Sequence, residues 1–228
     1  MNKILSLLFI LAFINLSCNN SADNNQLSHD NESKPDIDKS VSKHSVPLKK
    51  LLADSKEKFP FEHLEIEPFS FFKTFRLHES SKNAFYIKLG ENDKFFEIEI
   101  YELKNKEWFL IAKNDILEAD YFQFDLKIED YNFDGFKDFY IQTNASNGLT
   151  LSHGYLLVYD KEKNRLLPLP YGFLHSNIRP DRSSKNVKSD EKIMCKEDGD
   201  WAYCEKTLKW EKDSLIEINK TCPCTPEL

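Results

Sequence analysis

The chain has 228 residues and a net charge of −7 at pH 7, with 18 phenylalanines, 9 tyrosines and 5 cysteines. This acidic balance gives no electrostatic reason to bind nucleic acid or an anionic membrane surface, which argues against both as partners. The aromatic content is ample for a core, and the length predicts one domain or two small ones.

The first residues have the features of an export signal. Lys3 precedes an apolar run at residues 4–16, which is shorter than the roughly 20 residues that a membrane-spanning helix requires. Cys18 follows Ser17 at the end of this run and resembles the acylated cysteine of a bacterial lipobox. An ordinary signal peptide with an unrelated cysteine is the alternative. We therefore predict a signal peptide at residues 1–17 and a lipid anchor at Cys18, in the bacterial cell envelope and at the outer membrane.

Residues 18–45 are rich in Asn, Ser, Asp and Lys and nearly free of apolar side chains. Such a composition buries too little surface to offset the entropy of ordering. We therefore predict a flexible tether, followed by a single β-rich domain at residues 46–228. At the start of that domain, the apolar spacing between Pro47 and Lys58 favours a short amphipathic helix.

Short runs of alternating apolar and polar residues follow from residue 60 onward. The clearest is at residues 96–103, where apolar and glutamate side chains alternate. No long helical period is found, so we predict an all-β fold of antiparallel sheets, either a sandwich or a compact propeller-like arrangement. The predicted strands lie at residues 63–66, 71–77, 84–89, 95–102, 108–113, 122–129, 137–142, 155–159, 165–167, 201–209 and 215–219.

The stretch Asp130-Tyr131-Asn132-Phe133-Asp134-Gly135-Phe136-Lys137-Asp138 carries side-chain oxygens at loop positions 1, 3, 5 and 9. With a glycine at position 6, this is the oxygen-rich spacing that a hard cation such as Ca²⁺ needs. Position 12 is Ile141 and not the Glu of an EF-hand, and the flanks alternate like strands. We therefore predict a calcium-type turn between two strands, or alternatively an Asx-rich β-turn without a metal. The predicted ligands are Asp130, Asn132, Asp134, the carbonyl of Phe136, and Asp138.

Four cysteines lie near the C-terminus: Cys195, Cys204, Cys222 and Cys224. An exported protein meets an oxidising compartment, so disulfides are expected, although four cysteines allow three pairings. Asp198-Gly199 is a hairpin signal between the first two cysteines, which favours a bond between Cys195 and Cys204. Cys222-Pro223-Cys224 has no nearby His or Cys to complete a soft-metal site, which favours a structural or loosely ordered tail.

The stretch at residues 128–139, with the downstream Gly154-Tyr155-Leu156-Leu157-Val158-Tyr159-Asp160 and the turn into Arg165-Leu166-Leu167, resembles one family of bacterial periplasmic lipoproteins. Members of that family carry one calcium loop and are similar in turn to FG-GAP and VCBS-like repeats. They include immunity proteins, and they share a β-rich fold with periplasmic lysozyme inhibitors. The resemblance therefore implies a non-catalytic binding lipoprotein with a structural Ca²⁺ and a peptidoglycan hydrolase as its protein partner.

The sequence contains no Gly-x-Ser-x-Gly elbow and no His-Glu-x-x-His, and its six histidines are scattered. A glycosidase pair of carboxylates stays open among 38 acidic residues, but we predict that the chain is not an enzyme. Residues 146–154 would form either a presented binding loop or an ordinary hairpin connection. The alternative function is a cell-envelope glycan- or nutrient-binding lipoprotein. Exposed tryptophans would favour glycan binding, whereas aromatic residues in alternating strands usually pack in the core.

Overall fold

The computed structural model describes residues 46–90, 95–117, 123–145, 151–169 and 175–227. The predicted signal peptide, the Cys18 anchor and the tether lie outside these ranges. The described residues form one helix and thirteen strands, which are α1 (Leu48–Glu57), β1 (Glu62–Ile66), β2 (Phe69–Phe75), β3 (Asn83–Leu89), β4 (Phe95–Lys104), β5 (Glu107–Leu117), β6 (Asp125–Glu129), β7 (Asp138–Ala145), β8 (Ser152–Asp160), β9 (Arg165–Pro168), β10 (Ser176–Asp181), β11 (Asn186–Met194), β12 (Trp201–Glu211) and β13 (Ser214–Thr221).

The strands form three antiparallel sheets, each of which follows the chain order without a crossover. The first sheet contains β1 to β5, the second contains β6 to β9, and the third contains β10 to β13. The all-β antiparallel prediction is confirmed, and the predicted short helix is present as α1. Among the described residues, no helix is long and apolar enough to cross a membrane.

Alternation along the strands explains why the sheets stack, because successive side chains point to opposite faces. In β4, Phe96, Ile98 and Ile100 are buried. Glu97, between two of them, lies on the other face and pairs with Lys88 of β3 at 3.1 Å. The strand therefore buries one face and presents an ion-paired face.

The second sheet lies between the other two and uses both faces. Phe139 and Ile141 of β7 pack in one hydrophobic cluster with residues of the first sheet such as Phe85. Their neighbour Tyr140 packs in a second cluster with Val187 and Leu208 of the third sheet. A third cluster packs α1 on the far face of the first sheet. This double burial matches the unbroken apolar run Phe139-Tyr140-Ile141 in β7.

Two strands of the third sheet, β10 and β11, were absent from the sequence prediction. Their sequences are polar, and only Ile178, Val187 and Ile193 of them are buried apolar residues. The charges along them are matched across the sheet, since Arg179 pairs with Asp190 at 2.9 Å. Such cross-strand pairing stabilises a strand that hydrophobic alternation alone does not reveal.

Candidate functional site

The nine-residue loop from Asp130 to Asp138 joins β6 to β7, and Glu129 and Asp138 face each other at its base. The predicted turn between two strands is therefore confirmed. Phe133 and Gly135 adopt left-handed backbone angles, with φ of 62° and 90°. A glycine carries no steric cost at such an angle, which accounts for its place at position 6.

Three polar side chains of the loop turn toward its own backbone. The N–H of Asp134 donates to Asp130 Oδ1 at 3.2 Å and to Asn132 Oδ1 at 3.1 Å, so these two oxygens converge on one nitrogen. The N–H of Gly135 donates to Asp130 Oδ2 at 3.0 Å, and that of Phe136 donates to Asp134 Oδ1 at 2.8 Å. These are Asx-turn contacts, and they preorganise the oxygens inside the loop.

Asp138 has a different environment from the other predicted ligands. Its side chain is fully buried, and Oδ2 accepts the N–H groups of Tyr131 at 2.9 Å and Asn132 at 3.2 Å. Oδ1 accepts the N–H of Tyr159 at 3.0 Å. Burial raises the pKa of this carboxyl to about 7, against the opposing effect of the three N–H donors. Asp138 therefore braces the base of the loop against β8.

The oxygen atoms of the loop determine whether it can hold a hard cation. Among the described residues, no group of three or more His, Cys, Asp or Glu side chains is arranged to hold a metal ion. Asp130 and Asn132 supply two oxygens that converge on one N–H, each of which keeps a second lone pair. Asp134 Oδ1 accepts a different N–H, that of Phe136, and the carbonyl of Phe136 would add a further oxygen. Ca²⁺ takes six to eight oxygen ligands, so water would have to complete the shell. The loop therefore offers part of a Ca²⁺ shell, and the three N–H groups that Asp138 accepts distinguish it from the other predicted ligands.

The loop also lies where all three sheets meet. The N–H of Lys137 donates to the carbonyl of Leu77, at the end of β2, at 2.9 Å. The indole Nε1 of Trp210 in β12 donates to the carbonyl of Tyr131 at 2.6 Å. The loop itself belongs to the second sheet, so its backbone is connected by hydrogen bonds or directly along the chain to all three sheets.

The disulfides differ from the predicted pairing. Cys195 bonds to Cys224 and Cys204 bonds to Cys222. The predicted Cys195–Cys204 bond is wrong, although the hairpin that motivated it exists, with Met194 facing Trp201. In that register Cys204 faces Glu191, which lies four positions before Cys195. At 3.3 Å per residue this places the Cα atoms of Cys195 and Cys204 roughly 13 Å apart, which is farther than a disulfide can span. Of the two alternatives predicted for the tail, structural or loosely ordered, the structure supports the structural one, because both of its cysteines are bonded.

The third sheet presents a solvent-facing side that we call the outer face. It is formed by Lys188, Asp190, Lys192, Met194, Trp201, Tyr203, Glu205 and Thr207, which alternate along β11 and β12 with residues of the inner side, most of them buried. Trp201 is 59% exposed and Tyr203 is 42% exposed. The ammonium of Lys192 lies 4.4 Å from the centre of the Trp201 ring. The aromatic residues of this face are therefore available to a partner.

Trp201 was expected in the core, as were Trp108 and Trp210. The last two are partly buried, and each donates its indole N–H to a backbone carbonyl, that of Leu52 for Trp108 and that of Tyr131 for Trp210. Trp201 departs from this expectation. The alternation with the smaller Ala202 and Cys204 places Trp201 and Tyr203 on one face of β12, but it does not show which face is exposed.

An ion-pair network borders the aromatic part of the outer face. Arg179 donates to Asp190 at 2.9 Å and to Glu205 at 2.8 Å, and Lys188 donates to the other oxygen of Glu205 at 2.8 Å. The Lys188 ammonium and then the Arg179 guanidinium hold the pKa of Glu205 below its usual value. A shallow pocket of about 360 Å³ lies between this network and Tyr203. A second pocket, of about 550 Å³, lies beside Trp201.

The predicted presented loop is described only at residues 151–154. There the N–H of Ser152 donates to Asn177 Oδ1 at 2.8 Å, and Asn177 Nδ2 donates to Asp190 at 2.9 Å. Asn177 also lines the pocket beside Tyr203. The described end of the loop is thus tied to the rim of the outer face.

No known protein-family model and no curated protein matches the chain. The resemblance to calcium-loop periplasmic lipoproteins therefore stays a prediction.

Proposed function

We propose that the chain is an exported, lipid-anchored binding protein of the bacterial cell envelope, without a catalytic role, whose partner is a peptidoglycan hydrolase. The observation that carries the proposal is the outer face of the third sheet, where the exposed Trp201 and Tyr203 lie on the same strand as Glu205, to which Arg179 is bonded. Trp, Tyr and Arg are the residue types that contribute most to protein interfaces. The two disulfides support export, since such bonds persist in oxidising compartments.

The outer face is suited to a protein partner because it is held rigid before binding. One disulfide fixes Cys195 directly after β11, and the other fixes Cys204 between Tyr203 and Glu205. Little side-chain or backbone freedom is then lost when a partner docks. The net charge of −7 would favour encounter with a basic hydrolase.

In this proposal Ca²⁺ is structural. Asp130, Asn132, Asp134 and the carbonyl of Phe136 would hold it, and it would neutralise the carboxylates of Asp130 and Asp134. Because Trp210 donates to Tyr131 within the loop, order in the loop would extend to β12, the strand that carries Trp201. The ion would thereby support the outer face without contacting the partner.

The partner is tested with lysozyme as the probe hydrolase. We expect the purified protein to slow lysis of a peptidoglycan suspension and to bind lysozyme saturably. Trp201→Ala should weaken that binding by roughly 30-fold, as for an interface hot spot of about 2 kcal/mol. Phe109→Ala is the matched control, since Phe109 is an aromatic residue 46% exposed on the first sheet. Unchanged lysis and no binding by the wild type would contradict the proposal.

The metal is tested by calorimetric titration with Ca²⁺ and by melting curves with and without chelator. We expect a dissociation constant of roughly 10⁻⁴ to 10⁻³ M, as in extracellular modules, and a raised melting temperature. Asp134→Ala should abolish both effects. Asp198→Ala is the control, because Asp198 also accepts the N–H two residues ahead, at 3.0 Å, but lies in the β11–β12 turn. No heat and no shift would make the loop an Asx-rich turn.

A second candidate function, binding of an envelope glycan, is favoured by the exposure of Trp201. Sugar rings stack on exposed indole faces, and the polar pocket beside Tyr203 would supply hydrogen bonds. Retention of the wild type on insoluble peptidoglycan, lost in Trp201→Ala and without any effect on lysozyme, would favour this function over the first.

A further inference from the structure

A cleft separates the edge strand β9 from the β12–β13 hairpin, on the opposite side of the third sheet from the aromatic pair Trp201 and Tyr203. It has a volume of about 410 Å³, within the range of small-molecule sites. Its lining includes Val158, Arg165, Leu167, Trp210, Lys212 and Asp213.

The floor of the cleft is apolar because the third sheet covers only part of its neighbour. Val158 and Leu167 face each other on adjacent strands of the second sheet, on the side that carries the buried Leu156. Leu156 is covered by the third sheet, but Val158 and Leu167 stay half-buried. Trp210 closes one wall, and its orientation is fixed by its hydrogen bond to Tyr131. These groups form a preformed apolar wall.

The rim carries positive charge, although the chain as a whole is acidic. Among the described residues that line the cleft, Arg165 and Lys212 are cationic and Asp213 alone is anionic. Arg165 uses Nε to bond Asp160 at 3.2 Å, which leaves its two terminal nitrogens for another acceptor. Lys212 makes no ion pair within the described ranges. An anionic group at this rim would find two donors beside an apolar floor.

We propose that this cleft binds a small, free amphipathic anion, with its apolar body against Leu167 and Trp210 and its carboxylate or similar acidic group at Arg165 and Lys212. Charge-assisted hydrogen bonds from the two cations would fix the acidic group. The apolar floor would supply most of the affinity through burial. This binding is independent of the proposed hydrolase partner and uses a different surface.

The test compares two fluorescent probes with the same aromatic body, 8-anilinonaphthalene-1-sulfonate and the uncharged N-phenyl-1-naphthylamine. We expect saturable binding of the sulfonate probe to the purified protein and its displacement by octanoate more strongly than by 1-octanol. Lys212→Gln should weaken binding of the sulfonate probe by roughly tenfold and leave the uncharged probe unaffected. Arg165→Gln should have the same effect, which keeps the test valid if one variant folds poorly.

Two controls separate this cleft from other surfaces. Lys106→Gln removes a lysine from the two-residue hairpin turn between β4 and β5. Lys106 matches Lys212 in its left-handed backbone, with φ of 66° against 57°. Trp201→Ala removes the exposed ring of the outer face. Both should bind the sulfonate probe like the wild type. Equal binding by wild type and Lys212→Gln, or loss of binding in Trp201→Ala, would overturn the proposal.

Discussion

The two disulfides give a prediction that depends directly on the topology of the third sheet. The Cys204–Cys222 bond, with a sequence separation of 18, lies inside the loop closed by Cys195–Cys224, with a separation of 29. In such a nested arrangement, the effect of removing cysteines depends on which two are replaced together. Replacing the bonded pair Cys195 and Cys224 by serine breaks one disulfide, whereas replacing Cys195 and Cys204 breaks both.

The magnitudes follow from the loop-closure entropy of the unfolded chain. Closing a loop of 18 residues is worth about 3.2 kcal/mol. Once that bond has formed, the Cys195–Cys224 bond closes a further loop of only about eleven residues, and this closure is worth about 2.8 kcal/mol. Removing Cys195 and Cys224 should therefore lower the free energy of unfolding by about 2.8 kcal/mol, and removing Cys195 and Cys204 by about 6 kcal/mol. The larger loss is comparable to the whole stability of many domains.

The assay is urea unfolding of the two double-serine variants, followed by circular dichroism, with the oxidised wild type as reference. The observed topology predicts the larger loss when Cys195 and Cys204 are replaced. A Cys195–Cys204 bond would predict the reverse order, because removing that pair would break one bond and leave the other cysteines unaffected. An inverted order of stability would therefore refute both the nested arrangement and the magnitudes drawn from it.

Two further predictions concern buried positions of the second sheet. Because burial raises the pKa of Asp138 to about 7, from an ordinary value of 3.8, the folded state holds a proton that the unfolded state has lost between these pH values. Stability should therefore fall as pH rises from 4 to 7, by on the order of 4 kcal/mol, in denaturant titrations across this range. Asp138→Asn should remove that pH dependence. It should still lower stability by about 2 kcal/mol, since an amide NH₂ replaces an oxygen that accepts N–H donors. An unchanged pH profile in this variant would contradict the assignment of the pH dependence to Asp138. Gly154→Ala should cost on the order of 3 kcal/mol, because its Cβ would lie 1.9 Å from the carbonyl oxygen of Ile141. Gly199 has a φ of 73°, and a Cβ added there would meet no atom within 4 Å, so Gly199→Ala should cost about 1 kcal/mol. Both variants are compared by thermal melts, and equal losses of stability would argue against the close approach at Gly154.

Local patterns in the sequence were sufficient to predict the sheet content and the turn at residues 130–138. Alternation decides which face of a strand is buried, and a glycine among Asp and Asn residues marks a tight turn. β11 was missed because its stability comes from partners distant in sequence. Its Asp190 is matched by Arg179 and by Asn177, and neither contact leaves a pattern within the strand itself.

The role of Asp138 could not be predicted from spacing either. Position 9 of the loop carries the same carboxylate whether it binds a cation or accepts backbone N–H groups. The choice is made by Tyr159, which is 21 residues away and whose N–H faces the carboxylate at 3.0 Å. A buried acid that accepts three N–H donors braces the fold, and this role is visible only in the folded structure.

The exposure of Trp201 follows from the same dependence on distant partners. One face of β12 carries Trp201 and Tyr203, and the other carries Ala202 and Cys204. Hydrophobicity alone would turn the aromatic face inward. The bond from Cys204 to Cys222 instead fixes the small residues on the inner side, where Cys204 is fully buried. Because a covalent constraint holds the aromatic face outward against its hydrophobic preference, a partner that covered this face would gain the free energy of burying it.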